Sequence, residues 1–233
     1  MFRYANPAQF MRLSGAVLPW LAAATVLTLG VGLYWSFTVP PDYQQGSTVT
    51  ILFIHVPADL VAMGAYAAIA VASFFSLVWR HPLADVAART AAPLGALFTA
   101  LGLITGSLWG KPMWGTYWVW DARLTSFLLL LFLYLGYSAL WNAIDDEVRA
   151  ARAAAILALV GAVNLPIIHF SVVWWNTLHQ GESILSGKIA AVYLWPFFTM
   201  MLGYSLLFAL LWIIRIRTEI VNRRARSLMQ VGT

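Results

Sequence analysis

The chain has 233 residues, of which 61% are hydrophobic and 10% charged, where an ordinary soluble domain carries about a quarter charged residues, so a normal water-soluble fold is excluded. It has no cysteine, which removes disulfides, thiolate metal sites, a redox Cys-x-x-Cys pair and any Cys-x-x-Cys-His attachment site. The net charge of +5 is spread over loop-end pairs and a short C-terminal run rather than an aromatic-laced basic stripe; nucleic acid is not an expected partner, and the basic groups suit an anionic membrane leaflet.

In chain order, apolar runs fall at roughly 17–39, 52–79, 92–108, 124–142, 153–173 and 189–214, each long enough to cross a bilayer core as a helix. They predict an all-α integral membrane protein, a six-transmembrane-helix bundle forming one domain over 1–233. The first run follows Arg3 and Arg12, but it is too long for the apolar region of a secretory signal and no small-residue cleavage site follows, so it is expected to be a retained span. Basic residues in short loops stay on the cytoplasmic side. With the N-terminus inside, the inner segments hold Arg3, Arg12, Arg80, Arg89, Arg149, Arg152, Arg215, Arg217, Arg223, Arg224 and Arg226, and the outer ones only Lys111, Arg123 and Lys188. Eleven against three predicts both termini cytoplasmic and three outer loops, 40–50, 109–123 between spans 3 and 4, and 174–188 between spans 5 and 6.

Trp20, Trp35, Trp79, Trp141 and Trp212 lie near span ends and need no more than an interfacial belt. The outer segment 109-WGKPMWGTYWVWDAR-123 is different, with Trp109, Trp114, Tyr117, Trp118 and Trp120 together, more aromatic surface than anchoring one loop requires. Gly110, Pro112 and Gly115 mark its start as a turn. If the rest is helical, Trp114, Trp118 and Asp121 share a face, two indoles beside a carboxylate. Such a shelf would lie along the outer membrane surface, and large exposed aromatic surface implies a ligand that lands on it, here one that is broad, flat and lipophilic.

Of the four histidines, His81 follows Arg80 in an inner loop and reads as solvated, and His169 lies inside the fifth span. His55 opens the second span from outside and His179 lies in the outer loop after Trp174 and Trp175, so two imidazoles reach the side of the tryptophan shelf. Haem asks for a flat apolar surface, an imidazole nitrogen on each open face of its iron, and cationic or hydrogen-bonding groups for its propionates; all are available there. Zinc fits less well, because the spacing matches no His-Glu-x-x-His or similar motif. Asp59, one helical turn from His55, is placed to orient that imidazole or to line a polar cavity, and Asp121 and Arg123 are close enough in sequence to pair at the surface.

The stretch 114-WGTYWVWDARLTS-126 resembles the "WWD" signature of the haem-handling membrane proteins of cytochrome c maturation. With 54-IHVPA-58, 164-NLPIIHFSVVWWNTLHQG-181 and six spans, the whole chain resembles the haem exporter protein C (CcmC) family; the related CcmF and CcsA types are longer, with more spans. The resemblance implies that His55 and His179 are the two outer histidines at the axial faces of haem. It implies further that Trp114, Gly115, Trp118, Trp120 and Asp121 form the periplasmic haem platform, with Tyr117 preserving the shelf. It also implies transient, non-covalent haem b, transfer of that haem to the haem chaperone CcmE, a complex with CcmA, CcmB and the small CcmD, and a bacterial inner-membrane location with the site on the periplasmic side. The chain has no Gly-x-x-x-x-Gly-Lys-Ser/Thr loop, so it is expected to be a haem-delivery protein and not an ATPase or other enzyme. Two other readings stand beside this one: a six-span transporter carrying haem or another substrate through the bundle, which would need a deep polar track including Asp59 and His169, and a b-type electron-transfer cytochrome.

Overall fold

The computed structural model describes residues 6–81, 83–175, 177–179 and 189–231. Most of the expected loop 174–188, including Lys188, lies outside the described residues, as does Arg3. Six helical segments are long and apolar enough to cross a membrane. They are α1 (Pro7–Thr38), α2 (Leu52–Trp79, preceded by a 3-10 turn at Ser47–Ile51), α3 (Ala84–Trp114), α4 (Ala122–Ala143), the pair α5 (Glu147–Gly161) and α6 (Asn164–Trp174), and α7 (Ala191–Val231). The connections 39–51 and 115–121 and the described residues of 175–190 therefore gather at one end of the bundle.

Lipid gives helices little hydrophobic reason to associate, so close approach of small residues and interhelical hydrogen bonds must hold them together. On α3, Ala88, Ala92, Gly95, Thr99, Gly102 and Gly106 recur at alternating steps of four and three and form one seam along the helix. A Cβ on Gly95 would collide with the ring of Tyr134 on α4, one on Gly102 with the Asp59 carboxylate of α2, and one on Gly106 would lie 2.8 Å from His55. Tyr134 in turn donates to the Ala62 carbonyl of α2 at 2.6 Å and stands edge-to-face with Tyr66, tying α2, α3 and α4 into the buried core. Ala150, Ala154 and Ala158 bring α5 into that core. At the periphery, α1 packs along α7, with Gly32 beneath Met200 and Gly203 beneath Leu29.

Element ends depart from the apolar runs in three instructive places. α3 continues through Gly110 and Pro112 to Trp114, whereas Gly110 and Pro112 were expected to start a turn. Gly110 is buried with the Trp114 ring 3.0 Å from its Cβ position, and the turn comes at Gly115, whose φ of 76° suits a residue without a side chain. The fifth span breaks after Gly161: Pro166 cannot donate to the Ala162 carbonyl and would crowd it in a continuous helix, and the chain instead makes short-range bonds from Val163 to Val160 and Leu165 to Ala162. α7 runs on past 214, carrying the expected C-terminal basic run as helix. Its Arg223 pairs with Asp85 (2.8 Å) and Glu219 (2.9 Å), while Glu219 also accepts from Arg89 and Arg226. Of the supposed belt tryptophans, Trp20 is exposed but Trp141 is buried under the Arg89 guanidinium, and Trp212 donates to the Ala87 carbonyl at 2.8 Å.

The seam on α3 predicts a sharp contrast. Gly95→Ala should cost about 1–3 kcal/mol by overpacking against Tyr134, whereas Gly64→Ala, whose Cβ meets nothing within 4 Å, should be neutral or stabilise by roughly 0.5–1 kcal/mol. Unfolding curves of both variants in one detergent check this.

Candidate functional site

At the end that gathers the three connections, a cavity of about 570 Å3 opens between α2, α3, α4, α6 and α7, within the usual size range of small-molecule sites. His55, Asp59 and Met63 of α2 line one wall, Gly106, Trp109 and Trp114 of α3 another, and Arg123 of α4, His169 of α6, His179, Phe198 and Met201 complete it. Met63 and Met201 lie roughly 15 Å along their helices from the loop end, at about 1.5 Å of rise per residue. The next turn down, Tyr66 and Tyr204, is buried, so the cavity has a floor about halfway through a typical bilayer core.

His55 is seated in the groove left by Gly102 and Gly106. Its Nδ1 lies 3.0 Å from the Gly102 carbonyl and 3.2 Å from the Thr105 hydroxyl. A carbonyl only accepts, so Nδ1 carries the proton, and Nε2 lies 3.4 Å from Oδ2 of Asp59, which also lines the cavity. The other Asp59 oxygen is buried with no hydrogen-bond partner among the described residues. The Trp109 ring backs the imidazole edge-on, with centroids 5.7 Å apart, and is itself held by donation from Nε1 to Gln45 Oε1 at 3.1 Å.

His179 is held from the other side. Its Nδ1 donates to Asp121 Oδ2 at 3.2 Å, while Asp121 Oδ1 accepts from the Leu124 amide at 2.8 Å and caps the N-terminus of α4. One carboxylate thus terminates a helix and fixes an imidazole. The Trp114 ring stands edge-to-face against His179 at 4.7 Å. Burial first, and then the Arg123 guanidinium, hold the His179 pKa below the ordinary histidine range, against the opposite pull of Asp121. The ring is therefore neutral at pH 7, and with its proton on Nδ1 it presents a lone pair at Nε2, the arrangement in which a carboxylate orients an imidazole for a metal.

The expected residues divide between the cavity and its rim. His55, His179 and Trp114 line the cavity; Gly115, Trp118, Trp120 and Asp121 do not. Residues 115–121 are not helical, so Trp114, Trp118 and Asp121 do not share a helix face; Pro112 and Gly115 end α3, and the Asp121 cap starts α4 afresh. Trp118 and Trp120 form an edge-to-face pair at 5.4 Å, with Trp120 76% exposed and the Trp118 Nε1 buried without a partner among the described residues. Tyr117 is exposed, under the Lys111 ammonium at 5.2 Å. Asp121 spends its oxygens on Leu124 and His179 instead of Arg123, and Arg123 lines the cavity. His81 sits in the α2–α3 turn, accepting from the Leu83 amide. Sequence reasoning had not singled out Met63, Met113, Met201 or Tyr193 as lining residues, nor the Gly102 and Gly106 groove, whose four-residue spacing was the available signal.

The fold and this site define a polytopic helical membrane protein with a one-ended cavity walled by indoles and furnished with two oriented imidazoles, a guanidinium and a carboxylate. Residues 1–231 match the model of the family described as "Heme exporter protein C", and the chain belongs to that family. It is similar to the protein named heme exporter protein C of Bradyrhizobium diazoefficiens, 57% identical over 230 residues covering 97% of this chain and 88% of that protein. The protein of the same name in Escherichia coli K12 is 51% identical over 227 residues, covering 97% and 93%, and that of Paracoccus denitrificans 47% identical over 233 residues, covering 98% and 97%.

The double duty of Asp121 can be separated. Asp121→Ala should lose about 1 kcal/mol of stability with the cap, whereas Asp121→Asn, whose carbonyl still caps α4, should lose only a few tenths, while both remove the acceptor of His179. Thermal unfolding of the two variants side by side tests this.

Proposed function

We propose that this chain binds non-covalent haem b at the periplasmic face of the bacterial inner membrane and presents it to the haem chaperone CcmE during cytochrome c maturation. It does so as the membrane-embedded partner of CcmA, CcmB and CcmD, contributing no ATP hydrolysis of its own. The observation that carries this reading is the pairing of His55 and His179 on one aromatic-walled cavity, each with its Nδ1 held by a hydrogen bond, so that Nε2 of His179, and that of His55 once it parts from Asp59, would be the nitrogens to meet iron. Arg123 offers a cation for a propionate. Trp114 forms part of the wall, and Gly115, Trp118, Trp120 and Asp121 make the rim, where the exposed Trp120 ring is the surface an acceptor would meet together with the edge of the haem. The excess of Lys and Arg at the opposite end supports both termini lying in the cytoplasm.

Through-bundle transport finds one support in the structure, since Asp59 and His169 both line the cavity. The buried Tyr66 and Tyr204 beneath it close that path, and presentation from a one-ended site is the better account. A b-type cytochrome would hold its haem enclosed, whereas this cavity is open.

Absorption spectra of the purified chain, oxidised and dithionite-reduced, test the reading. His55→Ala and His179→Ala should each shift the haem bands and lower occupancy by more than the roughly 10- to 100-fold typical of losing only an orienting partner, and Asp121→Asn should fall within that range. Haem should move to purified CcmE from the wild type. Spectra indifferent to both histidines, or haem that stays redox-active and untransferred, would overturn it.

A further inference from the structure

The closed floor leaves the cavity two ways in: from the aqueous end, past the loops, or from the side. Three of its lining residues are themselves open to the outside of the bundle: Leu60 of α2 is 44% exposed, Phe198 of α7 is 55% exposed, and His169 of α6 is exposed. They belong to α2, α7 and α6, which line the cavity together. α6 is short and packs chiefly on α4, because the break before Asn164 redirects it and Asn164 anchors its start through donation to the Ser126 carbonyl at 2.8 Å. Among the described residues, the wall between α6 and α7 is consequently incomplete. Leu60 and Phe198 lie roughly 10 Å along their helices from the loop end, at about 1.5 Å per residue, which is the depth of acyl chains rather than of water. The outer faces leading to this flank are aromatic: Phe170 stacks on Trp174 at 5.2 Å, both partly exposed, and Trp195 is exposed on α7.

We infer that the cavity has a lateral window onto the bilayer, framed by Leu60, His169 and Phe198, through which a planar lipophilic ligand passes between the membrane and the site. The inference rests on the haem reading for the identity of that ligand. A tetrapyrrole partitions into acyl chains, its ring slides over aromatic faces, and its polar edge stays towards the loop end, where Arg123 and the histidines stand. The aqueous rim, with the exposed Trp120, is then left to the acceptor, and entry and handover use different openings.

The absence of native cysteine allows a direct test. Leu60→Cys and Phe198→Cys, each labelled with pyrenyl maleimide in reconstituted vesicles, are compared with a labelled Val26→Cys on the exposed face of α1, with haem supplied dissolved in a second population of vesicles. Loading should be slowed about tenfold or more at the two window positions, as expected where access limits association, and not at Val26. A label attached after loading should slow haem release to empty vesicles by a similar factor. Equal loading rates at all three positions would overturn the window, and so would a label that expels bound haem, which would make Leu60 or Phe198 part of the site instead of its entrance. If the window fails while His55→Ala and His179→Ala still abolish the haem bands, the proposed function stands without it; if the histidine variants keep their spectra, the fault lies with the haem reading itself.

Discussion

The site depends on how closely α3 can approach α2. Where Gly102 and Gly106 face α2, the missing Cβ atoms leave the space that the Asp59 carboxylate and the His55 ring occupy. The same approach brings the Gly102 carbonyl to 3.0 Å from His55 Nδ1. The helix backbone therefore sets both the position of the imidazole and the nitrogen that carries its proton. In a bilayer this is an economical way to orient a side chain, because helix–helix contact there relies on small residues and interhelical hydrogen bonds. A methyl at Gly102 would meet Asp59 directly, so the helix seam and the wall of the cavity are the same surface.

The second imidazole is oriented by a different device. His179 lies in a connection, where no neighbouring helix seam is available, and its orientation comes from Asp121, which is already fixed as the cap of α4. Because the cap anchors the carboxylate, the loop histidine inherits rigidity from a helix end. The indoles of Trp114 and Trp109, both on the last turns of α3, then back the two rings from one helix. α3 is thus the common reference for both histidines, through its glycines for one and its terminal tryptophans for both.

The six spans were legible because each carries enough apolar residues to cross a bilayer, and that pattern does not depend on tertiary contact. Their ends were not, because hydropathy stops where charge begins whereas helical hydrogen bonding does not: α3 starts at Ala84 through Asp85 and Arg89, and α7 continues through its arginines. The placement of His55 and His179 towards one side followed from topology. That they line a cavity reaching Met63 and Met201, rather than flanking a shelf on the surface, could not be read, since it follows from which helices leave room beside which. Trp118 and Trp120 show the same limit. The helical spacing of Trp114, Trp118 and Asp121 suggests a shared face, but Gly115 and the Asp121 cap interrupt the helix, and a local turn signal outweighs a periodic one.

On the proposed reading, these features bear on how a ligand that is held can also be released. Two oriented imidazoles in an aromatic-walled cavity would favour retention of such a ligand, and full enclosure would make exchange slow. Among the described residues the enclosure is incomplete: the break at Pro166 turns α6 away, opening the flank where the window is proposed, while residues 115–121 leave the helical path and place the Trp118–Trp120 pair at the rim. Both openings arise from backbone interruptions beside the site, so the walls that orient the histidines need not deform for a ligand to come or go. On the proposed reading, exchange would then be limited by release from His55 and His179 and by the acceptor's access to the rim. That would separate the affinity proposed for the site, set by α3 and Asp121, from its turnover, set by the shape of its edges.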